Sequence, residues 1–133
     1  MAKLDTLRVR DYMSAKLITF PPDMDVMAAI HTLAKSHITA APVVDDAGVL
    51  VGILSERDVI AIVGVASEDG SFAGPVSQFM NPKVKTVEPN TSLMQLLALF
   101  ERQTCRRYPV MASGKLVGMI SRSDVLRAIS DTY

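Results

Sequence analysis

The sequence contains no tryptophan and a single cysteine among 133 residues, and aromatic residues make up only 5%. Any core built from it must be aliphatic and methionine-rich. A lone Cys105 closes no intramolecular disulfide and builds no thiolate zinc centre. Neither sign of charge prevails, since 14 Lys and Arg face 14 Asp and Glu. Nucleic acids and anionic membranes both select basic surfaces, so neither is an expected partner. No stretch approaches the roughly 20 apolar residues of a membrane helix. Charges at Lys3, Asp5, Arg8, Arg10 and Asp11 interrupt the first residues and argue against a secretory leader. Glycine-rich phosphate loops, a Ser-His-Asp order and paired metal carboxylates are missing as well. The expectation is a cytoplasmic protein that is not an enzyme and holds no metal.

What is present is a foldable composition, with 49% hydrophobic and 21% charged residues. The chain is also written twice. Val9-Arg10-Asp11-Tyr12-Met13 recurs as Val76-Ser77-Gln78-Phe79-Met80, an offset of 67 that also superposes Pro22 on Pro89, Pro42 on Pro109 and Val43 on Val110. After a one-residue deletion in a turn the offset is 66, matching Gly48 with Gly114, Leu50-Val51-Gly52 with Leu116-Val117-Gly118, Ser55 with Ser121 and Asp58 with Asp124.

Each copy predicts the order β-α-β-β-α. Leu17 to Phe20 and Val84 to Val87 read as strands stopped by proline. Val26, Ala29, Ile30 and Leu33 mark one helix face, and Leu93, Leu96, Leu97 and Phe100 repeat it. Asp23 or Asp25 can cap the first of these helices, while Ser92 with Gln95 fits a capping box. A hairpin follows in each copy, turning at Asp45 to Gly48 and at Ser113-Gly114. The last helices carry Val59, Ile60, Ile62 and Val63, or Val125, Leu126 and Ile129. The expected organisation is an extension at 1–8, repeats at 9–63 and 76–131, and a small, polar linker at 64–75. A unit of about 55 residues buries little apolar surface alone. The expectation is therefore an α+β, sandwich-like globule with pseudo-twofold symmetry and a ligand cleft between its halves.

Pro42-Val43-Val44-Asp45 with Gly48 to Asp58, and Tyr108-Pro109-Val110 with Gly114 to Asp124, resemble the signature of the cystathionine-β-synthase (CBS) domain. The resemblance covers about residues 7–131. It implies a CBS pair, or Bateman module, which binds adenosine compounds (AMP, ADP, ATP, S-adenosylmethionine), regulates an effector protein and forms a homodimer through its helices. It also implies two composite sites. Site A would join Ser55, Arg57 and Asp58 to Val84, Lys85, Arg106, Arg107 and Pro109. Site B would join Ser121 and Asp124 to Leu17, Ile18, Ile38, Thr39, Ala40 and Pro42.

In this reading Asp58 and Asp124 accept hydrogen bonds from a ribose diol, and the cations of site A meet phosphate, for which guanidinium geometry is suited. Spacing alone leaves another reading open. Ser-x-x-Asp is nearly a capping box, and an acid in a first helical turn suits the helix dipole. Tyr108 either stacks on a base or crowds its slot. Cys105 reads as a core or pocket-edge thiol, and His31 and His37 as structural or surface residues. A ligand-free dimerisation or scaffold module is the alternative function.

Overall fold

The computed structural model describes residues 3–66, 73–103 and 105–133. Its helices and strands are α1 (Val9–Tyr12), α2 (Val26–Ser36), β1 (Ala40–Val44), β2 (Leu50–Ser55), α3 (Glu56–Ala66), α4 (Leu93–Arg102), β3 (Arg107–Ala112), β4 (Lys115–Ser121) and α5 (Arg122–Thr132). Single 3₁₀ turns cover Lys3–Asp5 and Val76–Gln78. The centre of the expected linker, residues 67–72, lies outside the described residues. Among the described residues, no helix is long and apolar enough to cross a membrane.

The chain divides into two compact units, Ile18–Val84 and Met1–Leu17 with Lys85–Tyr133. In the contiguous unit, Phe20, Ala29, Leu33, Ala41, Val43, Leu54 and Val76 form the core. In the other, Leu4, Val9, Leu93, Leu96, Phe100, Tyr108, Val110, Ile120 and Val125 are among its core residues. The residues read as an extension thus bring Leu4 into a core, and each unit recruits the leading segment of the opposite repeat. The Val76 N–H donates to Met24 O at 2.8 Å and that of Ser77 to Pro22 O at 2.9 Å. Their counterparts, Val9 and Arg10, donate to Thr91 O and Pro89 O at 2.9 and 3.0 Å.

Each unit is built around one antiparallel hairpin, β1 with β2 or β3 with β4. A register shift falls at the same place in both, between Val43 and Val44 and between Val110 and Met111. The shorter turn has φ of 52° at Ser113 and 78° at Gly114, the left-handed pair that suits a two-residue hairpin loop. The five-residue loop of the other hairpin is held instead by Asp45, whose Oδ1 accepts the N–H groups of Ala47 and Val49 at 3.0 and 2.9 Å.

The strands expected at Leu17 to Phe20 and Val84 to Val87 are reduced to single parallel bridges, Phe20 with Val43 and Val87 with Val110. Proline explains this. The Phe20 N–H donates to Pro42 O and the Val44 N–H to Phe20 O, both at 3.0 Å. Extending that parallel ladder one step in either direction would require the N–H of Pro42 or of Pro22, and proline has none. Pro109 and Pro89 impose the same limit around Val87.

The other edge of each hairpin takes the recruited segment. Ile53 bridges Asn81, and Met119 bridges Ser14, each through a reciprocal pair of backbone hydrogen bonds of 2.9–3.0 Å. The neighbouring strand residues are Gly52 and Gly118. A Cβ on Gly118 would lie 2.8 Å from Met13 Sδ and 2.9 Å from Ser14 O, and one on Gly52 would meet the Met80 side chain. Close backbone approach therefore requires the glycine of each repeated Val-Gly.

The helix faces largely follow the expected periodicity. Val26, Ala29 and Leu33 are buried along α2, and Leu93, Leu96 and Phe100 along α4. The Ser92–Gln95 capping box is formed, with reciprocal bonds of 3.1 Å. Asp25 holds the N-cap position of α2 but makes no side-chain cap, and Val26 N–H goes to Gly74 O instead. Ile60 and Leu126 on the last helices are 69% and 68% exposed. Each sits one residue beyond the packed Val59 or Val125, and one residue is about 100° around a helix.

Candidate functional site

The repeated Ser-x-x-Asp begins where each hairpin ends. Ser55 closes β2 opposite Ala40, and Ser121 closes β4 opposite Arg107. The helix starts at the next residue, so the strand end fixes the aspartate at the third helical position. Asp58 Oδ2 accepts the Ser55 N–H at 3.1 Å and its Oγ–H at 2.8 Å, while Asp58 N–H donates back to Ser55 Oγ at 3.2 Å. Asp124 and Ser121 repeat the three bonds at 2.8, 3.0 and 3.3 Å. In both repeats the carboxylate closes a capping box through one oxygen and keeps the lone pairs of Oδ1 for other partners.

The residue ahead of each hairpin also touches the helix start. Glu56 N–H donates to Thr39 O at 2.8 Å, and Arg122 N–H to Arg106 O at 3.1 Å. Thr39 and Ala40 therefore adjoin Ser55 and Asp58, whereas Arg106 and Arg107 adjoin Ser121. The Arg107 Nε–H is buried without a hydrogen-bond partner among the described residues, and an unsatisfied buried donor costs about 1–3 kcal/mol.

The residues of site A fall in both units: Ser55, Arg57, Asp58 and Val84 in the contiguous one, Lys85, Arg106, Arg107 and Pro109 in the other. Those of site B divide likewise, with Ile18, Ile38, Thr39, Ala40 and Pro42 apart from Leu17, Ser121 and Asp124. Pro42 and Pro109 have no N–H to give the carbonyls of Ile18 and Lys85, so the parallel ladder leaves that backbone edge to other partners. Ile18 is itself 40% exposed. Beside Ser55, a cavity of about 390 Å³ is lined by Ile30, Leu33, Ala34, His37, Ile38, Thr39, Glu56 and Val59. Its volume lies in the range of small-ligand pockets. Of this lining, sequence reading placed only Ile38 and Thr39 in a site, because Ile30 and Leu33 read as a helix face, Val59 as a residue of the last helix and His37 as a structural or surface residue.

Two other residues are placed differently from the sequence reading. Tyr108 presents almost none of its ring at the surface. It is buried in the core with its ring centroid 5.1 Å from that of Phe100. Burial, and then the nearby Cys105 sulfur, push its phenol above the usual range. Cys105 is exposed rather than in the core, and its thiol donates to Arg107 O at 2.6 Å.

Sequence reading missed Arg127. Its Nη2 donates to Asp124 Oδ1 at 3.3 Å and to Tyr12 O at 2.9 Å, and its guanidinium lies 5.2 Å from the centre of the Tyr12 ring. The Tyr12 hydroxyl donates to Asp131 at 3.3 Å. Partial burial, and then the Asp131 carboxylate, raise the Tyr12 phenol pKa. The signal was an asymmetry between the copies, because Ala61 stands where Arg127 does.

The chain that carries this duplicated geometry is similar to known proteins. The family model for the CBS domain matches it twice, at residues 9–65 and 76–131. The chain belongs to the CBS domain family. A CBS domain-containing protein of Bacillus subtilis, YhcV, is 30% identical over 117 residues, covering 88% of this chain and 81% of that protein. The chain spans smaller shares of two other curated relatives, 44% and 15%. The crystal structure of CBSX2 in complex with AMP matches with a TM-score of 0.85 at 29% identity, covering 94% of this chain and 97% of that one. The CBS pair of MJ0100, solved with 5′-methylthioadenosine and S-adenosyl-L-methionine, matches with a TM-score of 0.79 over 95% of this chain and 98% of that one. At 23% identity that likeness establishes the tandem CBS fold alone.

Proposed function

We propose that this CBS pair is a regulatory module that binds an adenosine ligand and is not itself an enzyme. The observation that carries the reading is the duplicated Ser-x-x-Asp. Both copies stand at a strand-to-helix junction, in a chain that matches an AMP-bound CBS structure over 94% of its length. In site A (Ser55, Arg57, Asp58, Val84, Lys85, Arg106, Arg107, Pro109) the carboxylate takes the ribose diol and the cations take phosphate. The buried Nε–H of Arg107, without a hydrogen-bond partner among the described residues, supports an anionic occupant. In site B (Leu17, Ile18, Ile38, Thr39, Ala40, Pro42, Ser121, Asp124), Thr39 and Ala40 stand where site A has two arginines, so its ligand carries less charge. The free backbone edges at Ile18 and Lys85 suit the polar rim of an adenine.

AMP, ADP, ATP and S-adenosylmethionine are the ligands to compare. Binding regulates only if it favours one arrangement of the protein over another, and the output passes to an effector protein in the cytoplasm. The exposed Ile60 and Leu126, at matching positions of the last helices, support a homodimer. The capping role of both aspartates favours a second reading, a ligand-free scaffold, because it accounts for the Ser-x-x-Asp without any ligand.

Thermal shift and isothermal titration separate the two. A ligand at a hundredfold excess over its Kd adds about 2.7 kcal/mol of stability. Asp58→Asn keeps an acceptor for the cap, and Arg107→Ala removes a cation whose Nε–H is buried. Each is expected to weaken AMP binding at site A about tenfold or more. A flat thermal response to all four ligands would establish the scaffold, and unchanged affinity in both variants would remove site A.

A further inference from the structure

The two aspartates are not equivalent, and the difference lies within single units. On Asp124, Oδ2 already accepts two hydrogen bonds from Ser121, which uses both of its lone pairs. Two hydroxyls of a ribose must therefore share Oδ1, and there Arg127 Nη2 occupies one acceptor direction at 3.3 Å. Arg127 is not free to swing away without loss. The same nitrogen is bonded to Tyr12 O at 2.9 Å, its guanidinium rests on the Tyr12 ring, and Tyr12 is tied to Asp131 at the far end of α5. On Asp58 the Ser55 bonds fall on Oδ2 in the same way. One turn further along α3, however, stands Ala61, which brings no cation. Phe79, the counterpart of Tyr12, has no hydroxyl with which to repeat the tie.

We propose that Arg127 is a specificity-determining latch: it holds one acceptor of Asp124 so that this carboxylate can take only one ribose hydroxyl, while Asp58 takes both. The proposal rests on the adenosine-ligand reading and adds to it that the second carboxylate discriminates poorly between ribose and 2′-deoxyribose. The pair is half-exposed, with Arg127 at 51% and Asp124 at 21% side-chain exposure. Its effect is therefore that of a screened ion pair, about fivefold in affinity.

The test uses AMP and 2′-deoxy-AMP as probes in isothermal titration. Their affinity ratio cancels whatever Arg127 or other cations do to phosphate. In an Asp58→Asn background, which leaves the Asp124 carboxylate, Arg127→Ala is expected to raise the preference for AMP over 2′-deoxy-AMP about fivefold. In an Asp124→Asn background, Ala61→Arg is expected to lower the same preference about fivefold. Ala61 is exposed on its helix, so this variant tests the latch without threatening the fold. A ratio that moves in neither pair overturns the latch. Wild-type protein that binds neither AMP nor its deoxy analogue overturns the adenosine reading itself. AMP binding to wild type with unmoved ratios overturns the latch alone.

Discussion

The contiguous unit and the unit assembled from both ends of the chain share a hairpin, its register shift, an edge glycine and a Ser-x-x-Asp, yet they fill their interiors differently. Where α4 presents Leu96, α2 presents Ala29; where β3 presents Tyr108, β1 presents Ala41. All four are buried. The features common to both units are backbone features: proline positions, glycines and strand-to-helix junctions. The side chains that pack behind them have diverged. Duplication thus preserves what the hydrogen-bonding geometry demands more strictly than what volume demands, because a core accepts many combinations of the same total size.

Four tests, using six substitutions, probe that contrast. The largest effect is expected from Leu96→Ala, at about 2–5 kcal/mol in urea unfolding, because the cavity opens in a core that relies on large side chains at this level. A loss near that of an exposed site would mean that the two cores are interchangeable here. Next comes the edge glycine. Gly118→Ala is expected to cost about 2 kcal/mol and Gly52→Ala less. Among the nearest atoms to the added carbon, the backbone Ser14 O lies at 2.9 Å in the first case and Asn81 O at 3.1 Å in the second, with a flexible Met80 side chain in front of it. Equal losses would break that ordering.

The third contrast is in pH dependence. Folded and unfolded Tyr108 are both protonated below its ordinary value of 10.0; above it the unfolded chain ionises first, because burial raises the folded pKa. Stability contributed by the neutral phenol is full below pH 10 and falls as the pH rises, by up to about 1.4 kcal/mol per unit. Tyr108→Phe is expected to flatten that fall, measured by urea unfolding between pH 9 and 11. An unchanged slope would show that Tyr108 ionises as freely folded as unfolded. The smallest effect compares helix starts. Ser92→Ala should cost about 1 kcal/mol, while Asp25→Ala, at the matching position without a side-chain cap, should cost only a few tenths. Equal costs would mean that the capping bonds contribute nothing.

Much of the fold was legible because the repeat supplies each pattern twice. Ser92 with Gln95, the faces of α2 and α4, and both hairpins follow from local spacing. The strands at Leu17 and Val84 were over-read because β-forming residues were counted while the missing N–H groups of Pro42 and Pro109, some 25 residues away, were not. The exposure of Ile60 and Leu126 was not legible, because an apolar side chain next to a packed one does not reveal its face until the helix is placed. Of the candidate site, the two Ser-x-x-Asp motifs were legible in full. Arg127 was not, because its importance comes from Tyr12, 115 residues earlier in the chain.

Residue order alone settled the duplication, the helix-hairpin-helix order within each copy, the proline stops and the position of each aspartate one turn into a helix. These depend on covalent geometry and on bonds between near neighbours. Folding settled which segment joins which hairpin, that Tyr12 holds Arg127 beside Asp124, and which apolar residues face water. Those outcomes depend on distances between residues far apart in the chain, and no local periodicity encodes them.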